Sequence, residues 1–249
     1  MILSGLVAAA AFGWAAAQAD DGWDVVADPA RDRVAAGVQF GGGVSFAVQC
    51  QAGQLTVALG GMPTTDASIR HFDATRGGGA SRLTWWNTHP GSPVLTSTDV
   101  RAVRFLRAGG NVTFASAAGE ARPSRMQIEL PTNPAGLDQV LTACGSPLVD
   151  PRDALTDVGD LLLEGPRVEI FGDLSRYPAI RVEISCVVRG GKMADCQSDH
   201  ETPSAPQVGR ETARHANGYP LKLSDPAAAE GRIVEVVVTG SRIRRPIGS

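Results

Sequence analysis

Arg181-Val-Glu-Ile-Ser-Cys-Val-Val-Arg189, then Gly190-Gly191-Lys192, then Met193-Ala-Asp-Cys-Gln-Ser-Asp199 decide how the second half of this chain reads. Val182, Ile184, Cys186 and Val188 fall on every second position, the period of a strand with one buried face. The two glycines accept the positive φ of a tight turn, so the chain reverses and returns over Met193–Asp199. Counted across a three-residue turn, Cys186 lies opposite Cys196, within reach of a cross-strand bridge. Pro206 then opens a helix, with Ser204 as a candidate cap, that runs to about Asn217 and stops at Gly218. A valine-rich strand, Arg232–Thr239, follows. A weaker strand or helix is expected over Asp160–Phe171. The expectation is a three-stranded antiparallel sheet with one packed helix over 155–249.

The preceding stretch is strand-rich. Val34–Phe40 and Val44–Cys50 flank Gly41-Gly42-Gly43, and Gln54–Leu59 follows across a short turn. Val44, Phe46, Val48 and Cys50 alternate, which points Cys50 inward. Further strands are expected at Arg82–Trp86, Asn111–Ala115 and Arg125–Leu130. Two short helices interrupt them. One spans about Thr98–Arg107, with Ser97 or Thr98 as cap and Val100, Val103 and Leu106 on one side. The other starts at Pro134 and ends at Gly145, with Leu137, Val140, Leu141 and Cys144 on one stripe. Ser146–Ala154 carries two prolines and no periodicity, so it reads as a linker between an α+β unit over 20–150 and the C-terminal unit.

The chain opens with an apolar stretch, Ile2–Ala17, that ends in Ala17-Gln18-Ala19 before Asp20-Asp21. Small-x-small after a short apolar run is the pattern a signal peptidase accepts, so residues 1–19 are expected to be removed and the protein exported to the periplasm. An uncleaved N-terminal anchor is the alternative. After cleavage no stable membrane span is expected. About 230 residues then remain, enough for two modest domains or one large β domain. Four cysteines, Cys50, Cys144, Cys186 and Cys196, behind such a leader read as two disulfides. They allow three pairings, and the organisation above favours Cys50–Cys144 with Cys186–Cys196. Zinc is the rival reading, weakened by the absence of any Cys-x-x-Cys.

The order hairpin, helix, strand resembles the C-terminal domain of TonB-family proteins over residues 160–249. The matching residues are Tyr177-Pro178, Val182 to Val188, Gly190-Gly191, Met193, Asp195-Cys196, Glu201-Thr202-Pro203, and Gly231 to Val238 with its alternating valines. Trp23-Asp24, Cys50, Leu141–Gly145 and Pro147–Asp153 resemble an uncharacterised periplasmic module found fused to such domains. The long Pro-rich spacer of the energy transducers has no counterpart here, so the resemblance implies partner binding rather than energy transduction. In that family binding proceeds by adding a strand to a sheet edge. The expected protein-binding edge is Ile233, Val234, Glu235, Val236, Val237 and Val238, and the expected partner is an outer-membrane receptor segment. Glu235-Val-Val-Val-Thr-Gly-Ser-Arg-Ile-Arg-Arg245 also resembles the segment that opens the plug of TonB-dependent receptors, as would any valine-rich last strand with a basic tail.

No nucleophile elbow, zinc-protease, P-loop or dinucleotide motif occurs. Gly41-Gly42-Gly43 and Gly77-Gly78-Gly79 lack the strand–helix setting of a phosphate loop and read as turns. His200-Glu201 with Glu211 and His215, which stand i, i+4, have the residue types of a divalent-metal site. The simpler reading is a solvated helix face. Trp85-Trp86 beside His89 could stack a sugar or peptide, but such a pair more often has one ring in the core and one at the rim. The net charge of −3 and the short basic tail of Arg242, Arg244 and Arg245 argue against nucleic-acid binding. The expectation is a non-catalytic periplasmic binding protein without cofactor or metal. The alternatives are a hydrolase or metal-dependent enzyme with a site between the halves, and a structural envelope protein.

Overall fold

In the computed structural model, residues 22–77, 79–116, 123–177, 179–202 and 205–241 are described. The expected leader at 1–19, Gly78, Pro178, Ser204 as the expected cap and the basic tail therefore lie outside the described residues. The N-terminal half comprises β1 (Asp24–Asp28), β2 (Arg33–Gln39), β3 (Ser45–Gln51), β4 (Gln54–Gly60), β5 (Ile69–Arg76), β6 (Gly79–Asn87) and β7 (Leu95–Ser97). Helix α1 (Val100–Arg107), β8 (Gly110–Ser116), β9 (Arg125–Leu130) and α2 (Ala135–Ala143) complete it. The strands pair antiparallel in one sheet, ordered β1-β2-β3-β4-β7-β6-β5-β8-β9.

Alternation gives this sheet one apolar face: Phe46, Val48 and Cys50 on β3, Leu55, Val57 and Leu59 on β4, Leu83 and Trp85 on β6, and Val112 and Phe114 on β8 are all buried. Five strand spacings separate β3 from β8, about 24 Å in a flat sheet. Yet the rings of Phe46 and Phe114 lie only 5.6 Å apart. The sheet is therefore curled so that its apolar face closes on itself, and α1 and α2 fill the mouth with Val100, Val103, Leu106, Leu137, Val140 and Leu141. Full burial of each such side chain contributes about 1.5–3 kcal/mol. The disulfide Cys50–Cys144 ties β3 to the end of α2.

The cap of α1 differs from expectation. Asp99 accepts from the Arg101 amide at 2.7 Å, whereas the Ser97 hydroxyl accepts from the Asp99 amide at the end of β7. A carboxylate one residue closer to the helix outcompetes both hydroxyls.

The C-terminal half comprises β10 (Leu162–Glu164), β11 (Ala179–Arg189), β12 (Lys192–Thr202), α3 (Pro206–Ala216), β13 (Lys222–Leu223), α4 (Pro226–Ala229) and β14 (Ile233–Ser241). Its main sheet has the order β12-β11-β14, all antiparallel, and β10 pairs with β13 in a separate ribbon. Helix α3 packs on β11 and β12 and buries Val208, Thr212, Ala213 and Ala216. The core beneath it holds Val182, Ile184, Cys186, Val188, Val234, Val236 and Val238. The described residues are α+β and strand-rich, with helices few and short among them.

The hairpin departs from the three-residue turn. Arg189 pairs with Lys192, leaving a two-residue turn with Gly190 at φ 56° and Gly191 at φ 73°. In that register Cys186 would face Asp195. Asp195 instead takes φ 49° as an extra residue, and Ser185 pairs with Gln197. This bulge sets the Cα atoms of Cys186 and Cys196 4.1 Å apart, and the two are disulfide-bonded. A second irregularity follows between Ile184↔Ser198 and Glu183↔His200, where Asp199 is the additional residue.

Residues 146–154 do not hang free. Pro151–Ala154 forms a 3-10 turn capped by Asp150, and Arg152 donates to the Ser185 carbonyl at 3.2 Å and to Asp199 at 3.1 Å. The segment joins the two halves through charge, not slack.

Candidate functional site

The backbone parity of β14 follows from its neighbours. Residue pairs in an antiparallel ladder alternate between hydrogen-bonded and non-bonded, so every second residue of an edge strand turns its N–H and C=O outward. The Val188 amide donates to the Arg232 carbonyl at 2.8 Å, and the register then sets Val234, Val236 and Val238 toward β11. Ile233, Glu235, Val237 and Thr239 turn their backbone outward. Ile233 is already engaged: its amide donates to Thr156 O and its carbonyl accepts from the Val158 amide, both at 2.9 Å. The open edge is therefore shorter than Ile233–Val238 at its start. From Glu235 to Thr239, no strand among the described residues pairs with it.

Side chains on this edge divide between two environments. Val234, Val236 and Val238 are core residues under α3, while Val237 is 43% exposed. Other sheet edges carry more protection. Strand β9 alternates outward Arg125, Gln127 and Glu129. Strand β1 is bracketed by Asp24 and Asp28, and α2 lies so close that a Cβ at Gly136 would come 3.0 Å from Val25. The start of β12 is covered by Gly218 and Tyr219, which bond to Met193. Val236–Ser241 is long and uncharged, with Val237 and Thr239 exposed and Ile170 packed on Gly240. Natural edges usually avoid that combination.

The face opposite α3 is buried against the N-terminal half. Thr98 donates to Glu183, Arg101 reaches Glu235 at 2.9 Å and the Leu155 carbonyl at 2.6 Å, and Arg104 grips Asp153 with two bonds of 2.6 and 2.8 Å. Arg181 lies 4.1 Å over the ring of Trp86 and 3.0 Å from Glu183. Trp85 is wholly buried, so this Trp pair has one ring in the core and one at the rim beneath Arg181. Burial pushes the Glu183 carboxyl up to about 7, against the pull of Arg181 and the Thr98 hydroxyl. Desolvation also raises Asp99 and Glu235, each further raised by a neighbouring carboxylate and lowered by Arg101. His200 is driven down to about 4 by burial and by Arg181.

These interface residues were not anticipated. Their signal is a pair of arginines, Arg101 and Arg104, opposite the apolar stripe of a helix, which ordinarily marks a solvated face.

The histidines do not converge. His215 stacks on Phe171 with centroids 3.7 Å apart, and Glu211 accepts from Gln207. His200 lies on β12 opposite Glu183. Among the described residues no cluster of three or more His, Cys, Asp or Glu is arranged to hold a metal, and no helix is long and apolar enough to cross a membrane.

The two disulfides fit an oxidising, extracytoplasmic compartment. No family model, curated protein or solved structure matches this chain.

Proposed function

We propose that this chain is an exported, non-catalytic binding protein that captures an extended segment of an outer-membrane receptor by strand addition along β14. The open outer edge of Glu235–Thr239 carries the reading. Three outward-facing residues offer both N–H and C=O, and the exposed side chain of Val237 offers an apolar contact to a residue of the incoming strand. In this reading 155–249 is the binding unit and 20–150 holds it from behind.

The test separates backbone from side chain. Val237→Pro deletes an outward donor without touching the β11 ladder, whereas Val237→Ala deletes only the side chain. Labelled peptides from the N-terminal segments of outer-membrane receptors are titrated against both variants and the parent protein. Val237→Pro should weaken binding about tenfold or more, and Val237→Ala about twofold. Absence of binding to the parent, or equal loss in both variants, overturns the mechanism.

A further inference from the structure

A cleft of about 710 Å³ separates the end of α2 from the outer edge of β12. Its volume is that of a small-molecule site, typically about 300–1,000 Å³. One wall is Gly53 with Cys144–Pro147, the other is Gln197–Glu201, and α3 contributes Arg210 and Arg214.

The charges in this cleft are unequally satisfied. Asp199 accepts from Arg152 at 3.1 Å, and Glu201 accepts from the Ser198 hydroxyl. Glu201 also lies tight against α3, where a Cβ at Gly209 would come 1.8 Å from its Oε1. Arg210 and Arg214 stand one helical turn apart on the exposed face, and neither has an ion-pair or hydrogen-bond partner for its guanidinium among the described residues. Arg101, Arg104, Arg107, Arg152 and Arg232 each reach a carboxylate, while the exposed Arg125 and Arg176 have none among the described residues. His200 also lines the cleft, at 7% exposure; its Nε2 is shut off from solvent with no partner among the described residues, and the residue pairs with Glu183 of β11.

Guanidinium groups one helical turn apart suit the oxygens of a phosphate or carboxylate. We propose that this cleft binds a small ligand bearing an oxyanion, gripped by Arg210 and Arg214. The site lies on β12 and α3, across the sheet from the open edge of β14. Its occupancy is therefore measured independently of strand addition.

The oxidised protein, labelled with nitrogen-15, is titrated at constant ionic strength with inorganic phosphate in one arm and succinate in the other. Arginine Nε–H and histidine ring signals are followed. Saturable one-to-one shifts should centre on Arg210, Arg214 and His200. The double variant R210Q/R214Q should bind about tenfold or more weakly, while R125Q, at an exposed arginine on β9 outside the cleft lining, should bind as the parent does. Both substituted positions are exposed, so folding is retained. Saturation by one probe alone assigns the oxyanion to that class, and saturation by both assigns a general oxyanion site. Lack of saturation in both arms, equal shifts at Arg125, or undiminished binding by the double variant overturns the proposal.

Discussion

Arg101 of α1 and Glu235 of β14 meet at 2.9 Å, joining residues 134 positions apart in the chain. The same guanidinium donates to the Leu155 carbonyl, so one side chain binds the N-terminal half, the connecting segment and the strand with the open edge. Through this contact the N-terminal half sets the orientation of β14. Its strength is not a Coulomb bonus alone: removing Arg101 leaves the desolvated carboxyls of Asp99 and Glu235 facing one another without a cation, and removing Glu235 strips a buried guanidinium of a partner.

Arg101→Met should therefore destabilise the protein by about 3 kcal/mol, because Asp99 and Glu235 lose their shared cation. Glu235→Gln should cost less, since its carboxyl is already pushed toward the neutral form. Adding Glu235→Gln to Arg101→Met should recover part of the loss. Urea unfolding of the oxidised single and double variants measures the coupling. A cost below about 1 kcal/mol for Arg101→Met would class the pair with screened surface bridges.

The interface also predicts opposing pH dependences. The folded-state pKa of Glu183 is raised to about 7, so its contribution to stability is complete below the unfolded value near 4.5 and is lost as pH rises through 7. His200 is lowered to about 4 from 6.5, so its contribution is present above 6.5 and is lost as pH falls through 4. Between those limits each proton contributes a slope of up to about 1.4 kcal/mol per pH unit, with opposite signs. Glu183→Gln should leave a stability that falls steadily with acidification from pH 6.5, where the parent is flatter. Denaturant midpoints from pH 4.5 to 8 decide it, and parallel curves for the two proteins would refute the assignment.

Much of the architecture was legible because alternation reports burial. Arg181–Arg189 and Gln54–Leu59 lie within strands whose alternate residues face a core, and Val44–Cys50 does so from Ser45 onward. Strand β5 was missed because Arg70, not an apolar residue, occupies one of its inward positions, held by Ser116 and Ser124. Strand β1 was missed because it is exposed on both faces and forms through pairing with β2. The interface was hidden for a different reason. Glu183, Ser185 and Glu235 occupy the polar phase of their strands, and alternation cannot tell solvent from a second polar surface. The oxyanion cleft was illegible because Arg210 and Arg214 acquire their meaning only from a wall supplied by α2.

The two disulfides should differ in weight. On the chain-entropy model a loop of 94 residues is worth about 4.7 kcal/mol and one of 10 about 2.7 kcal/mol. Replacing Cys50 and Cys144 together by alanine should therefore cost more than replacing Cys186 and Cys196. The arginine contacts at Ser185 and Asp199 should also couple either loss to the other half. Thermal unfolding followed separately by Trp fluorescence and by hydrogen exchange in β11 tests both statements. A larger loss from the short loop, or melting of one half alone, would contradict them.

The bulge at Asp195 gives the most local prediction. With a two-residue turn, the regular ladder places residue 195 opposite Cys186, and Asp195 adopts φ 49° so that Cys196 can share that place. Aspartate tolerates the left-handed region better than branched residues do, because its short side chain does not crowd the carbonyl. Asp195→Gly should stay within about 0.5 kcal/mol of the parent, and Asp195→Val should lose about 1–2 kcal/mol. Deleting Asp195 should remove the bulge, leave the old Cys196 opposite Cys186, and keep Ser185 on Gln197. Non-reducing peptide mapping should then still find the short bridge intact. Free thiols in the deletion variant, or a bridge from either cysteine to Cys50 or Cys144, would show that the bulge is required for the pairing rather than merely accommodated by it.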